Sequence, residues 1–175
     1  MKNSGKVALG GIIAALSLII MLLGYIPSFQ FAVPAVAGAV LIFVVIEVNV
    51  SFALGVYLVV SLLSFLIGEK ESAVMFIAFL GYYPIIKAKL ESLKSRILEW
   101  IIKFAIFNAA IFAAYFVMIH LLFVPLDTGF LGTYFVPAMV VLGNITFLIY
   151  DFGMTRIISM YIDRLHPKIH RYFGK

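Results

Sequence analysis

The chain has 175 residues, 65% of them hydrophobic and 12% charged, with a formal net charge of +5 and a mean hydropathy of +1.16. Soluble domains are about half apolar and about a quarter charged, so this composition excludes a water-soluble globular protein and a disordered tail. Absence of cysteine removes a disulfide framework, a thiolate metal site and a thiol nucleophile, and the length suits one domain without a separate soluble enzyme.

The charged residues divide the sequence into long apolar runs. None lies between Lys6 and Glu47, and further uncharged runs cover 48–68, 72–86, 104–126 and 128–150. A membrane-spanning helix needs about 20 predominantly apolar residues. The runs are apolar all round, without the alternation of a β-barrel strand. The expected fold is all-α: a polytopic membrane protein whose residues 1–175 form a single six-helix transmembrane bundle.

Span one covers 7–26. It follows Lys2 and Lys6, but it is too long for a signal peptide and lacks an A-x-A cleavage site. Gly24, Pro27 and Ser28 separate it from span two, 29–48, which carries Pro34 near its start, where proline is best tolerated. Glu47 and Asn49 mark a tight turn into span three, 50–68. Glu69, Lys70 and Glu71 make a small charged loop before a short span four, 73–86. Leu93, Ile97, Trp100 and Phe104 then recur at helical spacing beside Lys94, Arg96 and Lys103, the pattern of an interfacial amphipathic helix leading into span five, 100–123. Glu99 and Lys103 stand i,i+4 and read as a pair on the helix surface. Span six covers 133–156 with Pro137 in its first turns, and 157–175 forms a basic cytoplasmic tail.

Six spans put both termini on one side of the membrane. Every lysine and arginine except Lys70 then falls on that same side, which the positive-inside rule assigns to the cytoplasm: N-in, C-in, in a plasma membrane. The basic balance is thereby accounted for by anionic lipid. No basic patch interleaves with exposed aromatic residues, so nucleic acid is not an expected partner.

The sequence carries no H-E-x-x-H, no paired-glutamate metal motif, no G-x-S-x-G and no phosphate-binding G-x-x-x-x-G-K-[ST]. No catalytic residue, metal ligand or cofactor site is expected. His166 and His170 are four apart, but Pro167 lies between them and basic residues surround them, as in a solvated tail. Polar groups inside the spans are costly in hydrocarbon and are candidates for function. Asn108 and Asn144 fall at similar depth and suit a hydrogen bond between neighbouring helices, with a solute contact as the alternative for Asn144. Asp151 is expected near the cytoplasmic headgroups, partnered by Arg156 or water.

The outer half holds more ligand-like groups. Tyr25, Ser28 and Gln30 flank the first outer loop, Lys70 lies in the second with Glu69 and Glu71, and His120, Asp127, Thr128 and Tyr134 surround the third. Together they suit a solute pocket with aromatic walls; singly, each reads as an interfacial anchor. The inner half of span one carries small residues at helical spacing. Ala8, Gly11 and Ala15 form one stripe, and Gly10 with Ala14 forms another; such stripes let a second helix approach closely.

A basic N-terminus, the helix A-L-G-G-I-I-A-A-L-S, the outer loop P-S-F-Q-F-A-V-P and six spans in a chain of this size together resemble the substrate-binding S component of an energy-coupling factor (ECF) transporter. The resemblance covers the topology of nearly the whole chain, and in sequence it is confined to span one and its loop. It implies a bacterial importer subunit that captures a small, vitamin-like solute near the outer face. It implies docking through the small residues of span one, Gly11 and Ala15 matching best with Ala8 in the same stripe, and Gly10 and Ala14 as the alternative register, onto a transmembrane coupling subunit served by two ATPases. It also implicates Tyr25, Ser28 and Gln30, beneath the first outer loop, in solute binding. The N-terminal histidine expected of nickel and cobalt members is missing. The alternatives are a structural membrane protein similar to the rod-shape-determining MreD type, or a subunit of another membrane complex.

Overall fold

The computed structural model describes residues 3–123 and 134–164, and all regular structure among them is helical. The elements in chain order are α1 (Asn3–Leu22), extended by a 3₁₀ turn at Leu23–Tyr25, α2 (Val33–Glu47), α3 (Val50–Ile67), α4 (Lys70–Met75), a π-helical turn at Phe76–Leu80, α5 (Tyr83–Glu91), α6 (Arg96–His120) and α7 (Phe135–Arg164). Five stretches are long and apolar enough to cross a membrane: Asn3–Tyr25, Val50–Ile67, Lys70–Glu91, Arg96–His120 and Val136–Asp163. The shorter Val33–Glu47 makes a sixth apolar column inside the bundle.

Several boundaries differ from the sequence reading, each for a local reason. The second column starts at Val33 rather than 29, because residues after Ile26 close successive turns, Phe29 N–H to the Ile26 carbonyl and Ala32 N–H to the Phe29 carbonyl. Ser28 there takes a positive φ of 73°, and Pro34 sits in the first turn of α2, where its missing N–H costs nothing. The fourth column runs from Lys70 to Glu91, longer than 73–86. Glu69 caps its start by accepting the Glu71 and Ser72 N–H groups at 2.8 and 2.7 Å. Its far end carries Lys87, which is buried rather than in a loop. The interfacial helix expected over 93–104 is replaced by a tight turn at 92–95 and by α6, which starts at Arg96 behind a Ser95 cap. The last helix continues to Arg164, so 157–164 is helix rather than tail; the remainder of that tail lies outside the described residues.

Apolar side chains cover the outside. Ile12, Ile19, Leu58, Leu62, Leu66, Phe112, Phe116, Ile149 and Phe152 are all exposed, a surface that suits acyl chains and not water. In such a solvent, helices associate by close packing and polar contacts, because lipid is as apolar as leucine. The first three helices use shape. Ile13, Met21, Ala37, Leu41, Val44, Val56 and Val60 form one buried cluster with Phe76 and Ile85. Glycine allows the backbones in: a Cβ on Gly10 would lie 2.6 Å from the Phe52 ring, and one on Gly38 would lie 2.0 Å from the Leu80 carbonyl oxygen. The Gly38 contact seats the π turn of the fourth column against α2.

The remaining columns use rings and polar bonds. Phe79, Tyr83, Phe107 and Phe147 pack as one aromatic core, with Phe79 on Tyr83 and Phe107 on Phe147 both stacked at 4.6 Å. This core joins the fourth column to α6 and α7. Beneath it, toward the Glu91 end, lies the most polar part of the interior.

Candidate functional site: a buried ion cluster and an outward stripe

Three helices contribute to a cluster of charged and polar side chains. Tyr83, Lys87 and Glu91 come from α5, one turn apart in succession; Glu99 and Lys103 come from successive turns of α6; Asp151 comes from α7. Helical spacing aligns the residues of each helix on one face, and the sequence places those faces opposite each other. Lys87 Nζ lies 2.5 Å from Glu91 Oε1 and 2.5 Å from Asp151 Oδ1. Lys103 Nζ lies 2.9 Å from Glu99 Oε1, 3.1 Å from Asp151 Oδ2 and 3.2 Å from Glu91 Oε1. The Tyr83 hydroxyl also donates to Asp151 Oδ1.

Asp151 is the hub, with each carboxylate oxygen holding a different lysine. Lys87 is 0% exposed, Lys103 1% and Asp151 3%. Two ammonium groups face three carboxylates, leaving a formal charge of −1. A buried ion is costly alone, and the pairing here offsets that cost only while every partner is present. The sequence reading expected Asp151 to meet Arg156 or water, and Glu99 with Lys103 to lie on a helix surface. Both expectations are corrected: Asp151 is held by Lys87, Lys103 and Tyr83, and the Glu99–Lys103 pair is inside the bundle.

The amides behave as the spacing suggested. Asn108 Nδ2 donates to Asn144 Oδ1 at 2.9 Å, and Asn144 Nδ2 donates back to Asn108 Oδ1 at 3.0 Å. Their second amide hydrogens go to carbonyls four residues back, Phe104 and Val140. A third polar tie joins α7 to the end of α2: the Tyr161 hydroxyl donates to Glu47 Oε1 at 2.7 Å, and the Tyr161 ring lies 4.6 Å from that of Phe43.

At the opposite end, the candidates around the first two loops that the sequence reading places outside are partly brought together. Tyr25 donates to the Ile67 carbonyl at 3.0 Å, Gln30 donates to Glu71 at 3.2 Å, and Ser72 donates to the Gln30 carbonyl at 2.9 Å. Lys70 turns away to the Phe65 carbonyl and ring. Ser28 is exposed. His120 is exposed and stacks on Phe116 at 4.6 Å, and Tyr134 is 76% exposed. Asn144 is taken up by Asn108, and Asp127 lies outside the described residues, as do His166 and His170. No group of three or more histidine, aspartate or glutamate side chains among the described residues suits a metal ion.

The two small-residue stripes of α1 separate by direction. Gly10 is buried against Phe52 and Val56 of α3, and Ala14 packs at the edge of the first core. Ala8, Gly11 and Ala15 are exposed, and a Cβ on Gly11 would meet nothing within 4 Å. One stripe is used inside the chain and the other is open. The ion cluster is the structural feature that the sequence reading does not find. Its signal lies in the registers Lys87/Glu91 and Glu99/Lys103, but on sequence alone the first falls in a loop over 87–99 and the second reads as a helix-surface pair. Comparison with known families, with curated proteins and with solved structures gives no match.

Proposed function

We propose that this chain is a non-catalytic, six-span subunit of a membrane complex, of the kind represented by the S component of an ECF importer. On this reading both termini face the cytoplasm of a bacterial cell, and α1 docks through Ala8, Gly11 and Ala15 on a transmembrane coupling subunit served by ATPases. A small solute is captured at the Tyr25–Gln30 end. The observation that supports it most is the division of labour on α1. Gly10 and Ala14 are consumed by packing within the chain, whereas Ala8, Gly11 and Ala15 face outward with free space above Gly11. A flat, small surface facing lipid suits a helix that must meet another helix closely.

The test is co-purification. Gly11→Leu with Ala15→Leu is expected to abolish recovery of a coupling subunit expressed with this chain while leaving the monomer folded. Undiminished recovery overturns the docking assignment. A released small molecule, identified by mass spectrometry after denaturing the purified chain, tests solute capture. Repeated purification with no such molecule, under conditions that retain the coupling subunit, overturns that part.

A structural reading of the MreD-like type is the second one, and one observation favours it. Gln30, Glu71 and Ser72 satisfy each other at the Tyr25 end, as expected of filled packing rather than of a vacant pocket. On that reading the outward stripe binds a scaffold partner and no solute is captured.

A further inference from the structure

The turn between α5 and α6 leads into a shallow, widely open groove along one face of α6, lined by Arg96, Ile97, Trp100, Ile101 and Phe104. Its walls are hydrocarbon and aromatic rings, with a guanidinium at one end. Arg96 and, two residues before it, Lys94 are exposed, and neither pairs with a described residue. The adjoining cluster of Lys87, Lys103, Glu91, Glu99 and Asp151 carries a formal −1, which offsets only part of the two positive charges of Lys94 and Arg96. The groove therefore combines an apolar trough with a net positive charge at its mouth. Trp100 is held in place by Lys103 over its ring at 5.0 Å and by the rings of Phe104 and Phe152 at 5.8 and 6.1 Å, so its wall is preformed.

We infer that this groove seats one anionic phospholipid, its acyl chain along Ile97, Ile101 and Phe104 and its phosphate on Arg96. The charge complementarity selects the occupant. A zwitterionic lipid would bring a cation to a mouth already positive, and an apolar protein helix would leave Arg96 and Lys94 without counter-charge. Lipid charge at a membrane surface is attracted by each such basic residue, and the trough supplies the contact that a solvated lysine lacks.

Trp100 is the chain's single tryptophan and forms part of the groove, so its emission reports on the occupant directly. The full chain is reconstituted in phosphatidylcholine vesicles in which either brominated phosphatidylglycerol or brominated phosphatidylcholine acts as quencher. Phosphatidylglycerol is expected to show a relative association about fivefold above that of phosphatidylcholine, falling as salt screens the contact. Arg96→Gln is expected to bring the ratio close to one, and Arg96→Lys to restore most of it. Both changes are at an exposed side chain, and unchanged quenching by phosphatidylcholine shows that Trp100 remains in place. Equal quenching by the two lipids in the unaltered chain overturns the inference, as does a preference that survives Arg96→Gln. Quenching by neither lipid also overturns it, because a protein partner or a second copy then covers the groove.

Discussion

Asn108 and Asn144 exchange hydrogen bonds in both directions across the α6–α7 contact, at 2.9 and 3.0 Å, closing a ring of two amides in an otherwise apolar stretch. Neither amide has water to fall back on inside a bilayer, so the pair fixes the rotation of one helix against the other. The ion cluster lies further along the same two helices, five residues from Asn108 at Lys103 and seven from Asn144 at Asp151. At 1.5 Å per residue the two polar levels are about 7–10 Å apart.

Replacing Asn108 by Leu is expected to lower stability by about 1–2 kcal/mol, the upper range for hydrogen bonds between membrane helices. Adding Asn144→Leu is expected to cost less than the sum of the single changes, because each single change strands the other amide. Reversible unfolding in mixed micelles measures both.

Lys103 is the more sensitive position. Lys103→Met leaves Asp151, Glu99 and Glu91 with one buried ammonium among them, and breaking a buried pair in this way costs about 3–5 kcal/mol. Asp151→Leu is similarly harmful, since Lys87 and Lys103 both lose a partner. A double-mutant cycle on Lys87 and Asp151 is expected to give a coupling energy above about 1 kcal/mol. A value near zero would show that the cluster holds together without its hub.

Glycines at two positions are expected to respond oppositely. Gly38→Ala drives a methyl group into the Leu80 carbonyl, which no rotamer change relieves, and should cost about 1–3 kcal/mol or more. Gly11→Ala meets open space and replaces a poor helix former, so it should be neutral or stabilising by up to about 1 kcal/mol. Thermal unfolding of the two variants side by side checks the contrast.

Because the chain has no cysteine, single-cysteine variants map its orientation without background. With both termini inside, Lys70→Cys should react with a membrane-impermeant maleimide on intact cells, and Lys94→Cys only after permeabilisation. The reverse pattern would invert the molecule and move the proposed solute-capture end to the cytoplasm.

The all-helical architecture and the order of the apolar columns were legible because runs of uncharged residues report directly on apolar burial, although only five of the columns among the described residues are long enough to cross a membrane. The Asn108–Asn144 bond was legible for a related reason: two isolated amides at equal depth have few other partners. The ion cluster was not. Lys87 and Lys103 sit at the edges of uncharged runs, where a charge ordinarily marks water, and only the packing of α5, α6 and α7 shows that they turn inward. The same misreading shortened the fourth column to 73–86 and delayed the fifth to 100. The two registers on α1 were visible as alternatives, but the choice between them depended on where α3 lies, because Phe52 occupies the face of Gly10 and no neighbour occupies that of Gly11.

The fourth column, with its π turn and Gly81, is the wall shared by two unlike halves. On one side α1, α2 and α3 cohere through interlocking surfaces; on the other, α6 and α7 cohere through stacked rings, charges and amides. A detergent that loosens apolar seams therefore acts first on the half held by shape, before it reaches the polar ties of the other. The molecule carries two adhesives of different chemistry, one on each face of that wall.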